Sequence, residues 1–206
     1  LIEREGYDIE VVRELRGFVQ AIIRGLGDSV KMEWVRDSAY RFFPLQLDAT
    51  LGVTLHPFDL ATNKVLALVG RLEVRDWVDA IESHDRVQPF GYLVWAACGK
   101  DPGFSPSSIL EFASRSHYSA DEVSQLAFDG PPPSARDLSS RWKAMIQEAR
   151  EIVATLPSPH AGEAVLTSSG ALCRDEPDRL RENLSAGRVR FHAGRIRGAL
   201  PTVLSG

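Results

Sequence analysis

Cysteine is scarce in this chain: Cys98 and Cys173 stand far apart among 206 residues. With no Cys-x-x-Cys pair they indicate neither a disulfide framework nor a zinc site, and a reducing compartment is their simplest setting. The five histidines are scattered singly among unlike neighbours, which gives no histidine metal cluster. No apolar run is long enough to span a bilayer, and Glu3, Arg4 and Glu5 stand where a signal sequence needs an apolar core. The expectation is a soluble cytoplasmic protein with no membrane partner. Cationic excess is absent as well. A net charge of −4 and a pI near 5.8 argue against a generally basic nucleic-acid coat, while leaving room for a local basic patch. There is no Gly-x-Ser-x-Gly elbow, Walker loop or dinucleotide fingerprint, and neither an internal repeat nor a low-complexity stretch.

What is present is an ordinary globular composition, 44% hydrophobic, in a length that suits one large domain or two small ones. Residues 7 to 13, 17 to 24 and 29 to 35 are short runs rich in Val, Ile and aromatics, punctuated by Gly17, Gly25, Gly27 and Asp28. That pattern predicts hairpin-linked strands in an antiparallel sheet. In the first strand Asp8 and Glu10 read as one face, with Tyr7, Ile9 and Val11 on the other. In the third, Lys31, Glu33 and Val35 share a face. Residues 45 to 55 add one extended piece, bent at Gly52 and broken by His56-Pro57.

Helix follows. Segments 59 to 70, 75 to 83 and 88 to 99 are predicted helical. Another runs over 106 to 115 with Ser105 as cap and Pro106 in its first turn, and one starts at Ser119 with Glu122 completing a capping box. Gly130-Pro131-Pro132-Pro133 is the clearest linker. Beyond it Leu138, Trp142, Met145, Ala149, Ile152 and Leu156 form one apolar stripe, the mark of a packing helix that Pro157 and Pro159 terminate. The tail returns to strands, with 164 to 167 and 171 to 174 flanking a Ser168-Ser169-Gly170 turn. Arg188, Arg190 and His192, then Arg195 and Arg197, suggest a cationic face, read either as a solvent-facing strand or as a contact for an RNA backbone.

Residues 59 to 81 carry the most chemistry. With Asp59 as helix cap, Lys64 and Arg71 fall seven residues apart on one side, and Arg75 continues that side if the helix survives Gly70. Asp76 and Asp79 lie on consecutive turns. One reading is a solvated amphipathic stripe; the other is phosphate handling, because a compact ammonium on a flexible stem neutralises a phosphate without rigid geometry. Asp76 reads as either a site residue or the cap of the helix from Trp77. Asp79, inside the helix, is not needed for capping.

The run Leu55-His56-Pro57-Phe58-Asp59-Leu60-Ala61-Thr62-Asn63-Lys64, with Ala67-Leu68 and Arg75-Asp76-Trp77-Val78-Asp79, resembles two motifs of the AbiEii/AbiGii type nucleotidyltransferase toxins. Similar stretches extend over nearly the whole chain: Val30 to Ser38 and Arg41 to Pro44 upstream, Leu93 to Phe104 and Arg190 to Arg195 downstream. The resemblance implies an α+β protein. Its parts are an incomplete nucleotidyltransferase sheet, antiparallel or mixed, over 1 to 56, a helical region over 57 to 156, and a C-terminal strand-containing element over 157 to 206. It also implies metal-dependent transfer of a nucleoside monophosphate from a triphosphate to a hydroxyl acceptor, such as tRNA, by the toxin of a toxin-antitoxin or phage-defence pair. Lys64, Arg71 and Arg75 would then bind nucleotide, Asp76 and Asp79 would be catalytic, Glu33 would be a magnesium ligand, and a cognate antitoxin would be a partner. The family's Gly-Ser turn and Asp-x-Asp pair do not occur here, and Leu1 stands where Met is usual, which suits a shortened chain. The alternative is a catalytically silent form that binds antitoxin, nucleotide or RNA.

Overall fold

A computed structural model describes residues 2 to 36, 40 to 128 and 130 to 196. Leu1, Asp37, Ser38 and Arg197, named above, lie outside them. The chain divides into two compact units, Leu1–Ala39 and Tyr40–Gly206, and the architecture is α+β.

The first unit is an antiparallel sheet of β1 (Asp8–Leu15), β2 (Phe18–Gly25) and β3 (Asp28–Val35), with β2 in the centre. Leu26 and Gly27, both with positive φ, make the two-residue turn between β2 and β3 whose twist matches paired strands. Period-two alternation assigns the faces. On one, Arg24 pairs with Asp8 and Glu10, and Lys31 and Gln20 both reach Glu33. The other carries Val11, Ala21, Ile23, Val30, Met32 and Trp34, of which Ala21 and Ile23 alone are buried.

In the second unit β4 (Tyr40–Arg41) pairs with β9 (Arg195–Ile196), and the single extended piece expected over 45 to 55 is a hairpin, β5 (Gln46–Asp48) with β6 (Gly52–Thr54). Asp48 turns it by accepting the amides of Thr50 and Leu51, and Gly52 supplies the positive φ. The helices are α1 (Pro57–Arg71), α2 (Val74–Arg86), α3 (Phe90–Ala97), α4 (Pro106–Ser114), α5 (Ala120–Ser124) and α6 (Ala135–Thr155). Ser105 and Ser119 both cap as expected; Ser119 forms the expected box with Glu122, and Ser105 forms a reciprocal one with Ser108. The core gathers Phe58, Val65, Leu68, Trp77, Ile81, Phe90, Leu93 and Ile109 with Leu138, Trp142, Met145 and Ala149 of the α6 stripe. Gly91 lets α3 approach α6 closely: a Cβ there would lie 2.7 Å from the Ile152 side chain and 2.9 Å from the Ala149 backbone. Among the described residues no helix is long and apolar enough to cross a membrane.

Two expectations at the ends are corrected. α1 opens at Pro57, not Asp59, because His56 Nδ1 accepts the Phe58 amide and proline has no amide to satisfy. In the tail β7 (Glu163–Thr167) meets residue 172 through a single bridge and instead pairs along its length with β8 (Val189–Ala193). Between them lies α7 (Pro177–Ser185), with Leu180 as its buried residue. Such a helix leaves no apolar stripe to read. A second core cluster of Tyr92, Trp95, Ile152, Val165, Cys173 and Leu180 fastens this element to α3 and α6.

Asp59 is buried inside the first turn of α1 and does not cap it. Its two oxygens accept the amides of Phe42 and Phe43, and Lys100 Nζ sits 2.9 Å from Oδ1 while also bonding the Asp59 and Asn63 oxygens. Truncating Lys100 strands that carboxylate. Lys100→Met, which keeps the apolar stem, is expected to cost about 3–5 kcal/mol in a denaturant titration.

His56 and His84 share one device: Nδ1 accepts a backbone amide, from Phe58 and Phe90 respectively. Burial holds both imidazoles below their ordinary value of 6.5. The unfolded chain therefore binds these protons first as pH falls, so their contribution to stability is full above that value and is lost beneath it. His56→Asn keeps a cap acceptor that does not titrate. Thermal melts of this variant should lose less stability than wild type between about pH 7 and pH 5.

Candidate functional site

The site is built on an antiparallel helix pair. α1 ends where Leu72 takes a left-handed conformation and its amide bonds back to Leu68, and only Leu72 and Glu73 separate Arg71 from the start of α2. Helix therefore persists through Gly70, but Arg75 belongs to α2 rather than extending the α1 face. Lys64 precedes the Leu72 reversal and Asp79 follows it by nearly the same distance along the chain, so the return of the helix sets them opposite each other.

Four of the sequence-derived candidates meet there. Lys64 Nζ lies 2.6 Å from Asp79 Oδ2 and 3.8 Å from Asp76 Oδ1, and Arg71 Nη2 donates to that same Asp76 oxygen at 2.9 Å. The Asp76 side chain is wholly buried and its Oδ2 has no hydrogen-bond partner among the described residues. Lys64, Asp79 and Arg71 are part-exposed. Asp76 is thus not the cap of α2: Glu73 holds that position, and Asp76 faces the helix pair from the third residue of the helix. Behind it Trp77 packs against Tyr118 at 5.2 Å and Trp142 at 6.3 Å between ring centroids. Burial raises the Tyr118 phenol above its usual range, and the carboxylates of Glu122, Asp76 and Glu73 add to the shift, so it stands neutral beside the acids.

The other candidates fall elsewhere. Arg75 pairs with Glu73 at 3.3 Å at the surface. Glu33 belongs to the first unit, where Gln20 donates to it at 2.7 Å and Lys31 approaches to 3.1 Å. In the tail His192 turns inward, donating to the Phe42 carbonyl and stacking on Phe43, while Arg188, which bonds Asn183, and Arg190 and Arg195 are exposed. Sequence reasoning gave no role to Lys100 and cast Asp59 as a cap, since a contact made between residues 41 apart leaves no local pattern.

Chemically the cluster is two cations locked to two carboxylates. Among the described residues no group of three or more His, Cys, Asp or Glu side chains is placed to hold a metal ion. Asp76 and Asp79 each hold a cation, and by themselves they do not fit a magnesium site. The arrangement can instead neutralise an anion that approaches Lys64 and Arg71 from the open side. Comparison of the chain with models of protein families, with curated proteins and with solved structures gives no match.

The difference in burial between the two arginine pairs is measurable. Arg71→Ala leaves the buried Asp76 carboxylate with Lys64 alone and is expected to cost about 1–3 kcal/mol. Arg75→Ala removes an exposed pair and should stay within about 0.5 kcal/mol in the same chemical denaturation.

Proposed function

We propose that this protein is nucleotidyltransferase-like and binds the phosphates of a nucleoside triphosphate at Lys64 and Arg71. The supporting observation is the convergence of Lys64, Arg71, Asp76 and Asp79 on one helix pair, at distances from 2.6 to 3.8 Å. A cation held by a buried carboxylate keeps its place without ligand, so less order has to be created on binding. The family-like wording of residues 55 to 79 extends this reading to transfer of a nucleoside monophosphate onto a hydroxyl acceptor such as tRNA, in a toxin paired with an antitoxin. In it Asp79, part-exposed and next to Lys64, is the carboxylate available to an incoming hydroxyl. Magnesium enters as the ordinary counter-ion of the triphosphate, not as an ion seated in these residues. Glu33, on an exposed sheet face, remains the ligand that the resemblance alone suggests.

A second reading treats the same contacts as a clamp that merely ties α1 to α2, and the full burial of Asp76 favours it. One comparison separates the two. Under the nucleotide reading Lys64→Ala weakens triphosphate binding about tenfold or more, as expected for losing one charge-assisted contact, and abolishes transfer of label from nucleotide to total RNA. Under the clamp reading it lowers the melting temperature while the folded variant and wild type show the same titration with nucleotide and magnesium.

A further inference from the structure

If Lys64 and Arg71 receive phosphates, as proposed above, the two carboxylates of the cluster cannot play equal parts. Asp76 is wholly buried, with Arg71 at 2.9 Å and Lys64 at 3.8 Å on one oxygen. A buried carboxylate cannot exchange its cations for water cheaply, so it holds both in place. Asp79 is different: its side chain is 37% exposed, and it lies 2.6 Å from the Lys64 ammonium. The anion closest to Lys64 is therefore the one most easily replaced, since an exposed ion pair contributes little.

We infer that Asp79 is an internal competitor for the phosphate seat of Lys64, which any ligand must displace, and that this makes the site selective for di- and triphosphates over single phosphates. An incoming single phosphate exchanges one carboxylate contact for one phosphate contact and gains little. A phosphate chain does more. Both cations approach the same Asp76 oxygen, so their head groups lie side by side, spaced for neighbouring phosphates of one chain. Arg71, half-exposed, keeps donors beyond the Nη2 that Asp76 holds. The second contact supplies what the displacement of Asp79 takes away. Once displaced, Asp79 has a path to solvent, and the helix pair need not move.

The test is calorimetric titration of the full chain with tripolyphosphate, pyrophosphate and orthophosphate. Wild type should bind them in that order of decreasing affinity. Asp79→Asn should tighten tripolyphosphate binding about three- to fivefold, the equivalent of an exposed ion pair. That gain should vanish in the Lys64→Ala background, because it acts through the ammonium. Glu73→Gln, which makes the same charge change beside Arg75, should give a smaller gain. Asp79→Ser is read in the same way if the asparagine variant fails to fold. Weaker or unchanged binding in the folded Asp79 variants overturns the inference, as does a gain that survives loss of Lys64 or a wild type that binds orthophosphate as tightly as tripolyphosphate. Failure of folded wild type and Asp79→Asn alike to bind tripolyphosphate is a separate result, and it removes the phosphate reading itself.

Discussion

The second unit is organised around a carboxylate without access to water. Asp59, near the start of α1, takes the backbone amides of Phe42 and Phe43 on its two oxygens and the Lys100 ammonium on one of them. These contacts join the segment after β4, the first turn of α1 and the loop after α3. Apolar packing then closes over the junction: Phe42 and Phe43 each meet Phe58 edge-on, and Lys100 lies over the Phe42 ring. A buried ion pair is no guarantee of net stability, but a misplaced α1 would leave a buried charge and two amides unpaired. The penalty for the wrong arrangement is what specifies the right one. Since α1 carries Lys64 and Arg71, the position of the candidate site inherits that constraint.

The site repeats the same physics with a different outcome. Asp76 is buried like Asp59, but its cations are part-exposed and come from the neighbouring helix, Lys64 from its middle and Arg71 from its end. One carboxylate is a fastening; the other is an anchor that holds positive charge at a surface. Asp79 completes a locally neutral cluster that stays solvated.

Much of the architecture was legible because local rules act over a few residues. Ser105 and Ser119 cap where their spacing says, the α6 stripe packs as its period says, and the glycine-punctuated runs of the first unit form the expected antiparallel sheet. The misread places are those where a distant partner outbids the local option. Asp59 had the chemistry of a cap, yet His56 one turn earlier filled that need and left the carboxylate for Phe42, Phe43 and Lys100. Residues 171 to 174 resembled a returning strand, yet β8, arriving after α7, offered a full ladder to β7. The helix α7 itself had no stripe, and Pro177 followed by Asp178 in its first turn was the signal that could have revealed it.

Sequence alone determined the strands of the first sheet and their alternation, the existence of α1 to α6, the caps at Ser105 and Ser119, and the presence of lysine, arginine and aspartates at helical spacing. Each of these depends on bonds and periodicities within a turn or a strand. Tertiary structure alone decided that Lys64 meets Asp79 rather than water, that Asp76 is buried, that Arg75 turns aside to Glu73, and that Glu33 belongs to a different unit. The reversal at Leu72 and the packing of α2 against α1 set those distances, and neither leaves a trace in the spacing of residues along one helix.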